Sequence, residues 1–120
     1  MSLLRSTIGL TTIAVAILFA QSQDQTRAKE AALKKSLLTL RQAIDKYTFD
    51  QHKAPQTLQN LIAKEYVDRI PVDPMTGTNT TWRVVMEDRA KSADPNEPGI
   101  FDVHSGSDGV SSDGTRYADW

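Results

Sequence analysis

The sequence predicts an α+β domain, in which a long N-terminal α-helix packs against a small antiparallel β-sheet and a Gly/Asp-rich loop follows at the C-terminal end. Three observations predict it. Apolar residues recur at helical spacing before position 54, short alternating runs follow Pro74, and the last twenty residues are mostly Gly, Ser and Asp. A chain of 120 residues is the size of one small domain.

The long helix is predicted over residues 24–53. Its apolar positions are spaced i, i+4, i+7, i+11 and i+14 and form one stripe, made of Leu33, Leu37, Leu40, Ile44 and Tyr47. Four alanines in the same stretch add helix propensity. Pro55 ends the pattern, because the residue before a proline is disfavoured in a helix. An amphipathic helix of this kind is expected to pack on another element.

The N-terminal segment, residues 1–23, has two interpretations. Arg5 precedes an apolar run from Ile8 to Ala20, which is shorter than the roughly 20 residues that span a bilayer. This pattern is typical of a secretory signal peptide. The alternative is a retained membrane helix that continues into the next element, since no proline or glycine lies between positions 10 and 54. Both interpretations place the chain at a membrane or outside the cytoplasm.

Residues 54–120 are predicted to form a globular head. Thr57 is expected to cap a short helix whose buried face is Leu58, Leu61 and Ile62. A turn at positions 75–77 leads to a strand at positions 82–86, with Trp82, Val84 and Met86 on its buried face. After an exposed loop at 88–99, residues 100–103 form a second strand. The resulting sheet of two or three strands is expected to cover the helix stripe.

Composition and charge exclude several classes of site. The chain contains no cysteine, which excludes disulfides, thiol catalysis and thiolate zinc sites. The net charge is −1, and no nucleic-acid partner is expected. Residues 24–53 carry seven bases and four acids, whereas residues 87–120 carry eight acids and three bases. This asymmetry has three alternative explanations: two solvated faces, head-to-tail association of like subunits, or cation binding at the acidic end.

No enzyme activity is expected. His104 lies beside Ser105 and Asp102, which is a superficial hydrolase pattern. Neighbouring residues on a strand point to opposite faces, however, and the sequence has no Gly-x-Ser-x-Gly motif. A phosphate-binding glycine loop is also absent from the sequence.

Several motifs together resemble those of one known family. The segments "KAPQTLQNLI", "YVDRIPVDPMTG", "FDVHSGSDG" and "ADW" follow a long helix in this order. From about Thr26 to Trp120 the chain resembles the major pseudopilin of the type II secretion system, a branch of the type IV pilin-like proteins. The resemblance implies a pilin-like fold and a structural subunit that forms a helical filament with copies of itself and with other pseudopilin or secretion-system subunits. It also implies an inner-membrane location through the N-terminal segment, with the head in the periplasm.

The N-terminus departs from that family. Its members have a leader that ends in Gly, followed by Phe-Thr-Leu-Ile-Glu, whereas Gly9 is followed here by "LTTIA" without a glutamate. An alternative function is therefore an exported, soluble, calcium-stabilised binding module that has a pilin-like head and does not polymerise. Retention of residues 1–20 would favour the filament subunit, and their removal would favour the exported module.

The resemblance further implies one calcium ion in the C-terminal loop. Matching positions would supply three carboxylates and two backbone carbonyls, namely Asp108, Asp113 and Asp119 together with Ser105 and Val110. Calcium prefers six to eight oxygen ligands, which short Asp side chains and Gly-flanked carbonyls can provide. The alternative is that "SDGVSSDG" forms two ordinary surface turns, because Asp-Gly pairs are common turn signals.

Overall fold

The computed structural model describes the backbone of residues 2–120 and the side chains from Ala14 onward. The chain forms helix α1 (Ser2–Gln51), helix α2 (Gln59–Ala63), strand β1 (Arg83–Met86) and strand β2 (Ile100–His104). Two single 3₁₀ turns, at Arg89–Lys91 and Tyr117–Asp119, complete the described elements. The predicted α+β class, with one long N-terminal helix and a small antiparallel sheet, is confirmed.

Helix α1 carries the predicted apolar stripe on its covered face. All five stripe residues are at most 6 % exposed: Leu33, Leu37, Leu40, Ile44 and Tyr47. The helix crosses the predicted boundary between residues 23 and 24 without interruption. It ends at Gln51, two residues before the predicted end, and His52 leaves the helical path with a positive φ of 60°.

The sheet is a two-stranded antiparallel ribbon. Arg83 pairs with His104, and Val84 pairs with Val103. Strand β2 lies against α1 and buries Ile100 and Val103 on the helix stripe. The core around this contact is completed from the connecting segments by Leu61, Ile70, Trp82 and Tyr117.

Three residues that were predicted to be buried are exposed. Val84 and Met86 are 41 % and 43 % exposed, because α1 lies over β2 and leaves β1 as the outer strand. Of the three residues predicted for the buried face of this strand, only Trp82, which directly precedes β1, is buried. Its Nε1 donates to the carbonyl of Pro71 at 2.7 Å. Ile62 is 37 % exposed, since α2 is so short that it buries only Leu61. The N-cap position of α2 is Leu58, which makes no side-chain capping bond, and Thr57, one residue earlier, accepts a hydrogen bond from the Asn60 amide at 3.3 Å.

The described residues of α1 that precede the head are mostly exposed. We call residues 14–29 the arm, because Glu30 is the first described α1 side chain that is hydrogen-bonded to the head, and Leu33 is the first described one that is fully buried. The arm exposes four large apolar side chains by 52–66 %: Val15, Ile17, Leu18 and Phe19. The molecule is accordingly elongated, with extents of 79 × 27 × 18 Å.

The membrane prediction concerns the start of α1. In the part of the chain that the structure describes, no helix has both the length and the apolar character that crossing a membrane requires. Both the signal-peptide and the membrane-helix interpretations depend partly on residues 1–13, whose side chains lie outside the described part.

Candidate functional site in the C-terminal loop

The buried carboxylate of Asp73 holds the start of the C-terminal loop, which we define as residues 105–120. Asp73 is fully buried. Its Oδ2 accepts hydrogen bonds from the Ser105 hydroxyl at 2.7 Å and from the Gly106 amide at 2.9 Å. Its Oδ1 accepts from the Met75 amide at 2.9 Å, within the turn that Gly77 closes at φ 80°. One side chain therefore joins the turn at 73–78 to the loop.

Sequence reasoning gave Asp73 no functional role. A signal was present, because an aspartate at the start of a turn commonly accepts from the amide two residues on, here that of Met75. Nothing local predicts the second partner, Ser105, which lies 32 residues away in the sequence. Gly106 beside it must be small, because a Cβ atom there would overlap the carbonyl oxygen of Thr81.

Asp108 faces an arginine from the sheet. Its Oδ1 lies 2.6 Å from Nη2 of Arg83, and the same nitrogen donates to the carbonyl of Gly106 at 3.1 Å. The Asp108 side chain is 86 % exposed. The hydrogen bond and then the charge of Arg83 lower the pKa of this carboxyl group.

Asp113 organises the tip of the loop through local hydrogen bonds. Its Oδ1 accepts from the Thr115 amide at 3.0 Å, from the Thr115 hydroxyl at 2.6 Å, and from the Ser111 hydroxyl. The Ser111 hydroxyl, followed by the two Thr115 donors, lowers the pKa of Asp113 to about 2. Gly114 turns the chain here with φ 87°. The tip is thus shaped by its own neighbouring residues.

The end of the loop contacts helix α1. Glu30 accepts hydrogen bonds from Ser112 and from the Tyr117 hydroxyl. Arg41 donates from Nη2 to the backbone oxygen of Trp120 at 2.7 Å, and its Nε pairs with Asp102 at 2.8 Å. Tyr117 and Trp120 therefore tie the end of the loop to α1, and the backbone oxygen of Trp120 also lies 2.9 Å from Nδ1 of His104 on β2.

The five predicted calcium ligands lie in different settings. The Ser105 side chain is bonded to Asp73, Val110 is 59 % exposed, and Asp119 is exposed in the last 3₁₀ turn. Asp108 faces Arg83 and Asp113 faces its own neighbours. Among the described residues, no group of three or more His, Cys, Asp or Glu side chains is close enough to hold a metal ion.

As arranged, this donor set does not fit a calcium ion, which needs several oxygens to converge on one point. Binding would require the carboxylates of Asp108, Asp113 and Asp119 to move together. Calcium binding therefore stays a prediction.

The His104 neighbourhood does not form a hydrolytic arrangement. Its Nδ1 lies 2.9 Å from the backbone oxygen of Trp120, and its Nε2 lies 3.5 Å from Asp102. The Ser105 hydroxyl donates to Asp73 rather than facing the imidazole. The three side chains thus contribute to holding the loop.

Comparison with known proteins assigns the chain to no family. No family model matches it, and no curated protein or solved structure matches it either. Its function is therefore proposed from its sequence and geometry.

Proposed function

We propose that the protein is a structural subunit of a type II secretion pseudopilus or a related type IV pilin-like filament, assembled through α1. The observation that carries this proposal is one uninterrupted helix, Ser2–Gln51, with two different environments. The head covers its C-terminal part, whereas the arm exposes Val15, Ile17, Leu18 and Phe19.

Exposed apolar side chains in a row favour contact with another apolar surface. Burying a side chain of this size stabilises an association by roughly 1.5–3 kcal/mol. Arms of neighbouring copies offer such a surface, with one face of an arm packing against a different face of the next arm. Contacts between unlike surfaces of identical subunits generate an open helical array when the rotation does not close. An elongated subunit with a head at one end suits such an array.

The resemblance over residues 26–120 supplies the cellular setting of the proposal. In that setting the N-terminal segment lies at the bacterial inner membrane and the head lies in the periplasm. Other pseudopilin or secretion-system subunits complete the filament, and their surfaces would contact the same arm.

The test of assembly is a triple substitution in the arm, Val15→Ser, Leu18→Ser and Phe19→Ser. Full-length protein should form filaments visible by negative-stain electron microscopy and sediment as large species, whereas the variant should stay monomeric. At about 1.4 kcal/mol per factor of ten, each lost apolar contact should weaken association about tenfold or more.

Phe101→Ser is the matched control, since Phe101 is 54 % exposed on the head and should leave assembly unchanged. A wild-type chain that stays monomeric at all concentrations would contradict the filament and favour the exported module. Normal assembly of the triple variant would instead place the contact elsewhere.

Calcium binding is tested separately. If the resemblance holds for the loop, calcium should raise the melting temperature of the wild-type protein over that in chelator, and Asp108→Ala should abolish the difference. Arg83→Ala is the control, because it removes the ion-pair partner of Asp108 while leaving the carboxylate free to bind. Equal melting temperatures of the wild-type protein in calcium and in chelator would refute the prediction.

A further inference from the structure

The carboxylate of Glu30 joins the C-terminal loop to α1 at the point where the arm meets the head. Its Oε1 accepts from the Ser112 amide at 3.1 Å and from the Tyr117 hydroxyl at 2.9 Å. Its Oε2 accepts from the Ser112 hydroxyl at 3.1 Å. These partners follow Glu30 by 82 and 87 residues in the sequence, so one helix side chain connects α1 to the C-terminal end of the chain.

The two partners of Glu30 lie on either side of the loop tip. Ser112 begins the turn that Asp113 shapes, whereas Tyr117 follows it and is buried in the core. Tyr117 also packs edge-on against Trp120, with 5.1 Å between the ring centroids. Trp120 in turn lies under Nζ of Lys34 at 4.8 Å, one helical turn beyond Glu30. Contact with Glu30 therefore fixes both ends of the tip on one face of α1.

The hydrogen bonds to Glu30 favour its ionised form. The hydrogen bond from the Ser112 amide and then that from Tyr117 lower the pKa of the Glu30 carboxyl group, against the opposing effects of burial and then of Asp113. Burial and then the hydrogen bond to Glu30 raise the pKa of Tyr117, so its hydroxyl keeps its proton at neutral pH.

We propose that Glu30 is a positioning residue that fastens the C-terminal loop to α1 without a metal ion. The loop and the covered part of the helix then move as one unit, and the arm begins at this contact. This fastening is independent of filament assembly. We expect it to hold both in calcium and in chelator, because it is made by direct hydrogen bonds to Ser112 and Tyr117.

The test is hydrogen exchange of the backbone amides of residues 109–117 in the full chain, measured once in calcium and once in chelator. Glu30→Ala should speed exchange about tenfold or more in both conditions, as expected for losing hydrogen bonds to a charged group. The exchange rates of Glu30→Gln should lie between those of the wild-type protein and Glu30→Ala. Its amide oxygen still accepts hydrogen bonds from Ser112 and Tyr117, whereas its nitrogen cannot accept one from the Ser112 hydroxyl. Asp24→Asn, an equal charge change on the exposed arm, should alter nothing.

Exchange at the core amides of Leu40 and Val103, measured in the same experiment, separates the loss of this contact from general destabilisation. If Glu30→Ala also speeds exchange at Leu40 and Val103, that variant destabilises the whole head. The proposal is then tested by Glu30→Gln, which is the milder change. Unchanged exchange at 109–117 in Glu30→Gln, or faster exchange in chelator alone, would overturn the proposal.

Discussion

Asp73 and Asp113 each accept three hydrogen bonds in the head, yet they hold the chain in different ways. Asp73 is fully buried, and two of its donors come from Ser105 and Gly106, 32 and 33 residues away. Asp113 is exposed, and all of its donors lie two residues away in the sequence. The number of hydrogen bonds is equal, so the difference lies in burial and in sequence separation.

Burial decides how much the hydrogen bonds of each site contribute to the free energy of unfolding. Water can replace any partner of Asp113 once the turn opens, so those bonds contribute little net free energy. Asp73 and Ser105 are fully buried, so the Ser105 hydroxyl would stay unsatisfied if it lost its acceptor, and the hydrogen bonds from the Met75 and Gly106 amides are partly buried. Asp113 therefore shapes a turn, whereas Asp73 determines where the loop sits on the head.

The largest effect is expected for Asp73→Ala. The change leaves the Ser105 hydroxyl and the amides of Met75 and Gly106 without an acceptor. At about 1–3 kcal/mol for each buried unsatisfied group, the free energy of unfolding should fall by roughly 3–5 kcal/mol in urea titrations. Ser105→Ala removes one donor and leaves the carboxylate with two, so it should cost about 1–2 kcal/mol. A loss below about 1 kcal/mol for Asp73→Ala would show that burial does not distinguish the two sites.

An intermediate effect is expected from the glycines of the two sites. A Cβ at Gly106 would overlap the backbone of Thr81, so Gly106→Ala should lower the free energy of unfolding by about 3 kcal/mol. A Cβ at Gly114 meets no atom within 4 Å, and the φ of 87° alone should make Gly114→Ala cost about 1 kcal/mol. Chemical denaturation of both variants measures this order, and the reverse order would contradict the close packing of the Asp73 site.

The smallest effect is expected from the titration of Asp113. Its pKa is lowered from an ordinary 3.8 to about 2, so its ionised form stabilises the fold above pH 4. This contribution is lost as the pH falls from about 4 to about 2, because the unfolded chain takes up the proton first. Asp113→Asn should therefore flatten the decline of the melting temperature over this interval.

Thr115→Val is the control for that measurement, because it keeps the carboxylate and removes one hydroxyl donor. It should give a pH profile between those of the wild-type protein and Asp113→Asn. An identical profile for the wild-type protein and Asp113→Asn would mean that the local hydrogen bonds do not hold the carboxylate in its ionised form.

Much of the fold could be predicted because its signals are local. The stripe from Leu33 to Tyr47 follows from helical spacing, and the turn at Gly77 follows from its residue type. Burial on β1 could not be predicted for Val84 and Met86, since alternation identifies a face without identifying what covers it. For the loop, the sequence marked Asp108 and Asp113 as acidic positions but did not reveal Arg83 as the partner of Asp108.

Local patterns were sufficient to predict the elements of this protein: one long helix with a single apolar stripe, a short second strand, and a loop rich in turn residues. Helix periodicity and turn chemistry act over a few residues, and they can be identified without knowing the fold. The tertiary structure alone decided which carboxylates hold the loop. Glu30 and Asp73 meet donors 82 and 32 residues away, and these meetings depend on how α1, the turn at 73–78 and the loop pack together.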